Sequence, residues 1–383
     1  MYLKSLYLRN FRNYTEQYVD FTAPKTIVLG DNAQGKSNLI EAVEILSALK
    51  SHRTARDREL ILKREDSAQI LGNLDRNTGS LELSLTLRTN GRRTAQLNGL
   101  TQKRQMDFLG HLNMVQFSSL DLDLVRGGPD IRRNWIDTLL LQLEPVYAHL
   151  LQQYTQILRQ RNALLKGIKA AHLDPTKSAP TTPPELWDAQ LAVAGSHIIR
   201  RRDRVLRRLL PLAQAWHHAI SKQTEELQIL YRPNLNDAMA LSSEKPEVIQ
   251  QAILAQIQEK HRIERYQGTS LVGPHRDDID FLLNDAIARQ YGSQGQQRSL
   301  VLALKLAELQ LIEDVIGEPP ILLLDDVLAE LDLHRQNQLL ATIQDHFQTL
   351  ITTTHLNSFD SAWLKESQIL QVRSGSLIEA DDF

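Results

Sequence analysis

Apolar and polar positions alternate along the first third of the chain, which is the pattern of half-buried β-strands. Leu3–Leu8 is predicted to be a strand, and Leu81–Arg88 shows the alternation clearly. The pair Asn90 and Gly91 follows this second run as a hairpin signal. Lys25–Leu29 is a short run with β-branched residues that ends at a glycine. This part of the chain is therefore predicted to be rich in strands.

Helical spacing replaces this alternation in the middle of the chain. From Pro145 to Ala171 apolar side chains recur every three or four residues, which predicts an amphipathic helix. Four prolines in Asp174–Pro184 predict a loop. A second helical stretch runs from about Glu185 to Leu227, where Pro211 predicts a break or a kink. A shorter helix is predicted at Pro246–Gln258.

Strands and helices alternate again in the last part of the chain. Pro320–Leu324 has the composition of a buried strand, and Leu350–Thr354 is a second apolar, β-branched run. We predict an α/β fold in which the two ends of the chain form one head and a helical arm is inserted between them. The predicted limits are 1–144 for the first part of the head, 145–270 for the arm and 271–383 for the second part of the head.

Composition excludes several classes of protein. The 383 residues are 42% hydrophobic and 23% charged, as in ordinary globular proteins, so a disordered or purely coiled-coil chain is excluded. The absence of cysteine excludes disulfides, a thiolate nucleophile and cysteine-ligated zinc. No apolar run approaches the roughly 20 residues of a membrane span, and Met1–Tyr14 lacks the apolar stretch of a signal peptide. A soluble, cytoplasmic protein is expected.

Charge is unevenly distributed, although it sums to only −2. Residues 145–270 carry 17 basic and 11 acidic side chains, whereas residues 271–383 carry 7 and 18. The total charge therefore does not by itself indicate a nucleic-acid-binding protein. The imbalance along the chain predicts that different surfaces face different partners.

Gly30–Ser37 (GDNAQGKS) matches the phosphate-binding pattern G-x-x-x-x-G-K-[ST] in full. It follows a predicted strand and opens the amphipathic helix Asn38–Leu49. Glycines let backbone N–H groups surround a phosphate, and the helix N-terminus adds partial positive charge. Lys36 can reach the β- and γ-phosphates, and the Ser37 hydroxyl can bind Mg²⁺. A chance glycine-rich turn is the alternative, which the strand–loop–helix context disfavours.

The residues predicted to bind the nucleotide at this loop are Gly30, Asp31, Asn32, Ala33, Gln34, Gly35, Lys36, Ser37 and Asn38. Substitutions at Ala33 and Gln34 are expected to change little, because a loop of this kind acts through its backbone.

Ile321–Asp326 (ILLLDD) is an apolar strand that ends in two carboxylates. A parallel strand would bring its C-terminal end beside the phosphate loop, so Asp325 is predicted to hold Mg²⁺. Asp326 is placed to orient or deprotonate the attacking water. Apolar strands often end in Asp at a turn, and the pairing with the phosphate loop is what favours the functional interpretation.

Tyr291–Arg298 (YGSQGQQR) precedes a long amphipathic helix. Ser293 and Gly295 lie where a helix N-terminus offers N–H groups and a hydroxyl to an anion. An ordinary polar helix cap explains the same residues equally well, and these residues alone leave both interpretations open.

Together these motifs resemble the ABC-type ATPases of the SMC class and, more narrowly, the RecF family of bacterial recombination mediators. The resemblance covers nearly the whole chain, in order. The matching stretches are Leu8–Tyr14 (LRNFRNY), Gly30–Ala42 (GDNAQGKSNLIEA), Phe117–Asp137 (FSSLDLDLVRGGPDIRRNWID), Gly273–Asp278 (GPHRDD), Ser293–Glu308 (SQGQQRSLVLALKLAE) and Pro320–Asp332 (PILLLDDVLAELD).

The resemblance implies an ATP site shared between two chains. Ser293, Gly295 and Gln296 would form a signature loop that contacts the ATP held by Lys36 and Ser37 of a second copy. The resemblance further implies that Gln116 senses Mg²⁺ and the γ-phosphate, that Asp332 lies at the dimer interface, and that His355 is a switch histidine.

Three features depart from the general ABC pattern. Asp326 stands where many ABC ATPases have Glu, and the shorter carboxylate implies slow hydrolysis. The signature begins Ser-Gln-Gly-Gln at Ser293, which fits RecF better than transporters. Ser119 and Leu120 stand where a Pro-Glu pair is expected, which weakens the interpretation of Gln116.

DNA binding is implied by the resemblance more than by composition. Candidate contacts lie past the phosphate-loop helix, at a predicted hairpin tip, and on the second arm helix. These are Arg53, Arg56, Arg58, Lys63 and Arg64, then Arg92 and Arg93, and finally Arg200, Arg201, Arg204 and Arg208. The arm cluster spreads around its helix, so a solvated face or pairing with acidic groups explains it as well.

The function implied is an ATP-dependent clamp on duplex or gapped DNA. Two heads would join across ATP, and slow, DNA-stimulated hydrolysis would release the DNA. The resemblance also implies RecR and RecO as partners and, through them, loading of RecA. Two alternatives remain from the residues alone, namely the ATPase subunit of a membrane transporter and a P-loop kinase for a small molecule.

Overall fold

The computed structural model describes residues 1–174, 176, 183–221, 225–236, 245–328, 333–343, 346–359 and 361–379. The strands are β1 (Tyr2–Phe11), β2 (Tyr14–Asp20), β3 (Lys25–Leu29), β4 (Ser67–Arg76), β5 (Gly79–Arg88), β6 (Arg93–Leu97), β7 (Leu100–Thr101), β8 (Met114–Ser118), β9 (Leu227–Arg232), β10 (Asp278–Leu283), β11 (Ala286–Ile287), β12 (Ile321–Asp325), β13 (Thr349–Thr353), β14 (Ser367–Arg373) and β15 (Ser376–Glu379). The helices are α1 (Lys36–Ala48), α2 (Asp57–Leu60), α3 (Asp123–Arg126), α4 (Pro129–Leu143), α5 (Val146–Leu173), α6 (Pro184–Ser221), α7 (Pro246–Gln267), α8 (Ala288–Tyr291), α9 (Gln294–Ile316), α10 (Leu333–Ile343) and α11 (Ser361–Lys365).

The chain divides into two compact units. The first comprises Met1–Leu122, Leu212–Glu225 and Ser293–Phe383, so it is built from both ends of the chain. The second comprises Asp123–Pro211 and Glu226–Gly292. It extends beyond the limits of 145 and 270 predicted for the arm, because α4 packs against β10 and belongs with it.

An antiparallel sheet forms one layer of the first unit, with strand order β2-β1-β4-β5-β6-β7. β4 and β5 pair along their whole length, from Ser67 opposite Arg88 to Arg76 opposite Gly79. Leu83, Leu85 and Leu87 are buried on β5, as the alternation in this strand predicts.

A second six-stranded sheet completes this unit, with strand order β15-β14-β3-β13-β12-β8. All neighbours are parallel except the hairpin of β14 and β15. Its three central strands are covered on both faces, which explains their continuous apolar runs. β3 comes from the start of the chain and its two neighbours come from the end.

Helix α1 lies between the two sheets of the first unit. It contacts β4 and β5 of one sheet and β8, β12 and β13 of the other. Every residue from Leu39 to Ala48 is therefore buried, including the carboxylates of Glu41 and Glu44. A helix surrounded in this way is fixed in position and direction, and so is the loop that precedes it.

The second unit is not purely helical. Three strands, in the order β11-β10-β9, form a small antiparallel sheet beside α4, α5, α7 and most of α6. The sequence interpretation extended the second long helix to Leu227, whereas α6 ends at Ser221 and Leu227 begins β9. Pro211 lies inside α6, which continues through it instead of breaking.

Arg202 on α6 is the centre of a buried ionic network in the second unit. It donates to both carboxylate oxygens of Asp137 at 2.9 Å, to Asp277 Oδ2 at 3.2 Å and to the carbonyl of Pro274 at 2.7 Å. The hydroxyl of Tyr147 donates to the same Asp137 at 2.5 Å. The network ties α4, α5 and α6 to the segment before β10.

No helix in the part of the chain that the structure describes is long and apolar enough to cross a membrane.

The buried network predicts a large effect of removing Arg202. Arg202→Met leaves Asp137 and Asp277 buried without their cation, which is expected to cost about 3–5 kcal/mol of unfolding free energy. Arg207→Met is the control on the same helix, since the Arg207 side chain is exposed and its i,i+4 pair with the half-buried Asp203 contributes about 0.3–0.5 kcal/mol. Chemical denaturation followed by circular dichroism measures both, and equal losses would contradict the role assigned to Arg202.

Candidate nucleotide-binding site

The ends of four parallel strands define the candidate site. In the pairing register Leu29 of β3 lies opposite Thr353 of β13, and Asp325 of β12 lies opposite Thr352 of β13. Asp325 also pairs with Ser118 of β8. The carboxyl ends of these strands therefore meet at one edge of the sheet, where ligands bind in open α/β folds.

The phosphate loop occupies this edge between β3 and α1. Gly35 has φ of 121° and Ala33 has φ of 65°, so the chain turns sharply before α1 begins at Lys36. At Gly30 an added Cβ would lie 2.7 Å from the carbonyl oxygen of Val372, so this position has no room for a side chain. Lys36 Nζ donates to the carbonyls of Gly30 at 2.8 Å and Asp31 at 3.2 Å. The ammonium group of Lys36 is therefore bonded to two carbonyl oxygens of the phosphate loop itself.

Ser37 and Asp325 are brought together as the sequence predicted. Ser37 Oγ donates to Asp325 Oδ1 at 2.8 Å, and Thr352 Oγ1 donates to the same oxygen at 2.7 Å. A hydroxyl beside a carboxylate supplies the hard oxygen ligands that Mg²⁺ prefers, so these residues fit that ion. Their role as metal ligands stays a prediction.

Asp326 adopts φ of 53°, an uncommon left-handed conformation that Asp tolerates better than most residues. Its backbone N–H donates to Thr352 Oγ1 at 2.9 Å, which holds this turn in place. Burial and the charge of Asp325 raise the pKa of Asp326, against the lowering effect of Lys36. The role of Asp326 toward the attacking water stays a prediction.

Gln116 lies in the middle of β8, where its amide nitrogen is 3.4 Å from Nδ1 of His52. His52 in turn contacts the buried Glu44 through Nδ1 at 2.7 Å and through its backbone N–H at 2.8 Å. Although burial opposes the imidazolium form, Glu44 raises the pKa of His52. The pair of His52 and Glu44 was not predicted from the sequence. The available signal for it was Glu44, a carboxylate at a buried position of α1.

His355 follows β13 and is exposed, with its backbone N–H and carbonyl bonded to Thr353 Oγ1. Its predicted role as a switch residue stays a prediction. The predicted interface residue Asp332 lies outside the described residues.

The signature loop forms a capping box at the start of α9. Ser293 Oγ accepts from the N–H of Gln296 at 3.2 Å, and Gln296 Oε1 accepts from the N–H of Ser293 at 2.7 Å. Gln296 also donates to Glu225 at 2.9 Å, and Arg335 donates to the carbonyl of Gly295 at 3.0 Å. The cap proposed as the simple alternative is therefore present. This capping box also fixes the shape of the signature loop, whose N–H groups lie at the start of the long helix α9.

Glu41 is a buried carboxylate on α1 that accepts hydrogen bonds from the turn before β2 and from the segment after α1. Glu41 on α1 accepts a bidentate pair from Arg12 at 2.6 and 2.8 Å, one bond from Ser51 at 2.5 Å and one from Arg53 at 3.2 Å. Burial alone would raise the pKa of Glu41, but these donors together lower it. Arg53, one of the predicted DNA contacts, thus has a partner within the fold, and it also donates to Asn38 at 2.7 Å.

The other predicted DNA contacts differ in availability. Those in the first unit that are exposed are Arg56, Arg58, Lys63, Arg64 and Arg92. Arg93 instead makes a two-pronged pair with Asp57, at 2.5 and 2.8 Å, and serves the fold. In the second unit Arg201 and Arg204 both pair with Glu144, Arg200 is half-buried and Arg208 is exposed. Pairing with acidic groups, the alternative raised for this cluster, therefore holds for Arg201 and Arg204.

Residues 2–376 match the family described as the RecF/RecN/SMC N terminal domain. A Nostoc punctiforme protein named DNA replication and repair protein RecF is 64% identical over 380 residues, which are 99% of each chain. A protein of the same name from Cyanothece sp. is 61% identical over 382 residues, covering 100% of this chain and 99% of that one.

Solved structures agree with this similarity. The recombination mediator protein RecF with ATP, in the RecFOR pathway, superposes with a TM-score of 0.90 at 30% identity and covers 99% of this chain and 98% of that one. The Smc head domain of Pyrococcus furiosus superposes with a TM-score of 0.54 at 15% identity, covers 99% of this chain and 96% of that one, and shares the fold. The predicted α/β head of the ABC/SMC type is thereby confirmed.

Thr352 bonds to the carboxylate of Asp325 and to the backbone N–H of Asp326, although no sequence motif marks it. Thr352→Val keeps the shape but removes a hydrogen bond to the charged Asp325 and the acceptor for the Asp326 N–H. Bonds to charged groups contribute about 1.5–3 kcal/mol, so nucleotide hydrolysis is expected to slow at least about tenfold. Steady-state phosphate release measures this. Thr352→Ser restores the hydroxyl and is expected to restore the rate, and wild-type hydrolysis by Thr352→Val would contradict the assignment.

Proposed function

This chain belongs to the RecF/RecN/SMC N-terminal domain family as an ABC/SMC-type ATPase of the RecF kind, and from that premise we propose that it is an ATP-dependent clamp on DNA in replication and recombinational repair. The observation that carries the proposal is the contact of Ser37 with Asp325 beside Lys36, at the shared edge of four parallel strands. The contact joins the two halves of the predicted ATP site across 288 positions of sequence.

Each residue of the site has a distinct task in this proposal. Lys36 exchanges its two loop carbonyls for the β- and γ-phosphates of ATP, a substitution that satisfies the same ammonium donors. Ser37 and Asp325 hold Mg²⁺, which when bound neutralises charge that develops on the phosphates. Asp326, one residue after β12, orients the attacking water.

The proposal places the signature loop of a second copy over the γ-phosphate. Ser293, Gly295 and Gln296 precede and begin a 23-residue helix, so the loop offers N–H groups and a positive helix end. The capping box and the bond from Arg335 to Gly295 hold this loop in one shape, which limits the ordering cost of closing over a partner's nucleotide.

We assign the timing of the clamp to slow hydrolysis. The short carboxylate of Asp326 leaves a longer gap to the water than Glu would, so ATP holds two heads together until hydrolysis separates them. Gln116, in the middle of β8, and His355, two residues after β13, would report on the γ-phosphate. In this scheme DNA stimulates the ATPase by favouring the closed dimer, since any ligand that binds one state shifts the population toward it.

DNA is proposed to contact the exposed basic side chains of the first unit. Arg56, Arg58, Lys63, Arg64 and Arg92 supply positive charge despite the overall −2, and phosphate contacts need only local charge. Arg208 is the corresponding candidate in the second unit. Because these side chains offer charge and no aromatic surface, duplex backbone near a gap is the favoured ligand.

The partners are proposed from the similarity to RecF. One solved relative is described as a mediator in the RecFOR pathway, and we propose that this chain acts with RecR and RecO and supports loading of RecA. Neither alternative finds support. The Cyanothece and Nostoc relatives are both named RecF and match this chain over nearly its full length, which favours the RecF function over both alternatives.

The rate of ATP hydrolysis per chain against protein concentration tests this function. A shared site predicts a rate that rises with concentration and with gapped duplex DNA. Lys36→Met removes the phosphate contact and Ser293→Arg blocks the signature loop, so each is expected to abolish hydrolysis. Ser80→Arg, at an exposed serine near the start of β5, is the matched control.

A rate that is independent of concentration, of DNA and of Ser293 would contradict the proposal. It would mean that one chain contains the complete site.

A further inference from the structure

Two turns outside the phosphate-binding motif hold the apex of the phosphate loop. Asn13 Nδ2, in the turn between β1 and β2, donates to the carbonyl of Gln34 at 2.8 Å. In the turn between β14 and β15, the N–H of Gly375 donates to the same carbonyl at 3.0 Å. The N–H of Ser374 donates to Gln34 Oε1 at 2.7 Å. We call Asn13, Gln34, Ser374 and Gly375 the loop clamp.

The clamp is closely packed as well as hydrogen-bonded. An added Cβ on Gly35 would lie 2.6 Å from Nδ2 of Asn13, and one on Gly375 would lie 2.2 Å from the carbonyl oxygen of Asn13. Neither position has room for a side chain, so both glycines allow the backbone to approach Asn13. Asn13 Oδ1 also accepts from Asn38 Nδ2 at 2.7 Å, which ties the clamp to the first turn of α1.

The position of Asn13 is itself imposed by a strained turn. Arg12 adopts φ of 55°, which is unfavourable for a long side chain. Its bidentate bond to the buried Glu41 holds the turn in that conformation against α1. Such a conformation persists only where surrounding contacts enforce it, and it is common at functional sites.

The geometry points to the loop clamp as the device that aims the N–H groups of the loop at the phosphates, an inference that rests on the proposed binding of ATP. In a trans peptide the C=O and N–H groups point in opposite directions. Because Asn13 and Gly375 hold the Gln34 carbonyl, the N–H of Gly35 points away from the clamp. Tyr14 donates to the carbonyl of Gly35 at 3.0 Å, as do the N–H groups of Asn38 and Leu39 at 3.0 and 3.3 Å, so the N–H of Lys36 points away from these donors.

This inference changes the role of Gln34. The sequence predicted that its side chain matters little, whereas that side chain accepts from the turn near the end of the chain. Asn13 and Gln34 are therefore positioning residues, which act on the nucleotide through the loop backbone.

The test uses the full chain and measures ATP and ADP affinity by calorimetry with Mg²⁺. Asn13→Asp keeps the size and the acceptor for Asn38 but loses the donor to Gln34, and Gln34→Ala loses the acceptor for Ser374. Each is expected to weaken ATP binding about tenfold, or about 1.4 kcal/mol. The double variant is expected to lose less than the sum, because both changes release one loop.

Gln17→Ala is the matched control. It removes a bond from the N–H of Leu377 to Gln17 Oε1 at 2.9 Å, so it loosens the same pair of hairpins without touching the loop. Its ATP affinity is expected to equal that of the wild type. The melting temperature without nucleotide is expected to be unchanged in all three single variants.

Two results would overturn the inference. Wild-type ATP affinity in both Asn13→Asp and Gln34→Ala would show that the clamp does not position the loop. Parallel losses of melting temperature and affinity in these variants and in Gln17→Ala would show a general structural role instead. If the unmodified protein binds neither ATP nor ADP, the proposed function itself fails, which the wild-type titration reports separately.

Discussion

Parallel pairing between strands from opposite ends of the chain is the constraint on which the structure depends. β3, near residue 27, lies between β13 and β14, which come more than 300 residues later. Parallel neighbours cannot be joined by a tight turn, so the chain must leave the sheet and return. The second unit is formed by part of that excursion. The same pairing brings the phosphate loop and Asp325 to one edge, so fold and site have a single cause.

Much of this could be predicted from the sequence because it depends on local pattern. The phosphate-loop motif predicts the strand before it and the helix after it. The apolar run before Asp325 indicates a strand buried on both faces. The contact of Ser37 with Asp325 then follows from parallel pairing. The strands of the second unit were not predicted, and the helical stretch assigned up to Leu227 overlapped the start of β9.

The residues that support the site could not be predicted, since their partners are distant in sequence. Asn13, Thr352 and His52 lie in no nucleotide-binding motif, and each acts by contacting a residue of a different segment. Charge was equally hard to interpret. The arginine-rich part of α6 suggested a DNA surface, yet Arg202 is a buried structural centre and two neighbours pair with Glu144. A count of charges cannot distinguish an arginine that faces solvent from one that holds helices together.

The central claim is that each ATP site takes its phosphate loop from one chain and its signature loop from another. Mixing two inactive variants tests this most directly. Lys36→Met inactivates the phosphate loop of its chain, and Ser293→Arg inactivates the signature loop of its chain. A mixed dimer retains one complete site, so equal mixing is predicted to restore about a quarter of the wild-type ATPase rate if chains pair at random. A mixture as inactive as either variant alone would contradict the shared site.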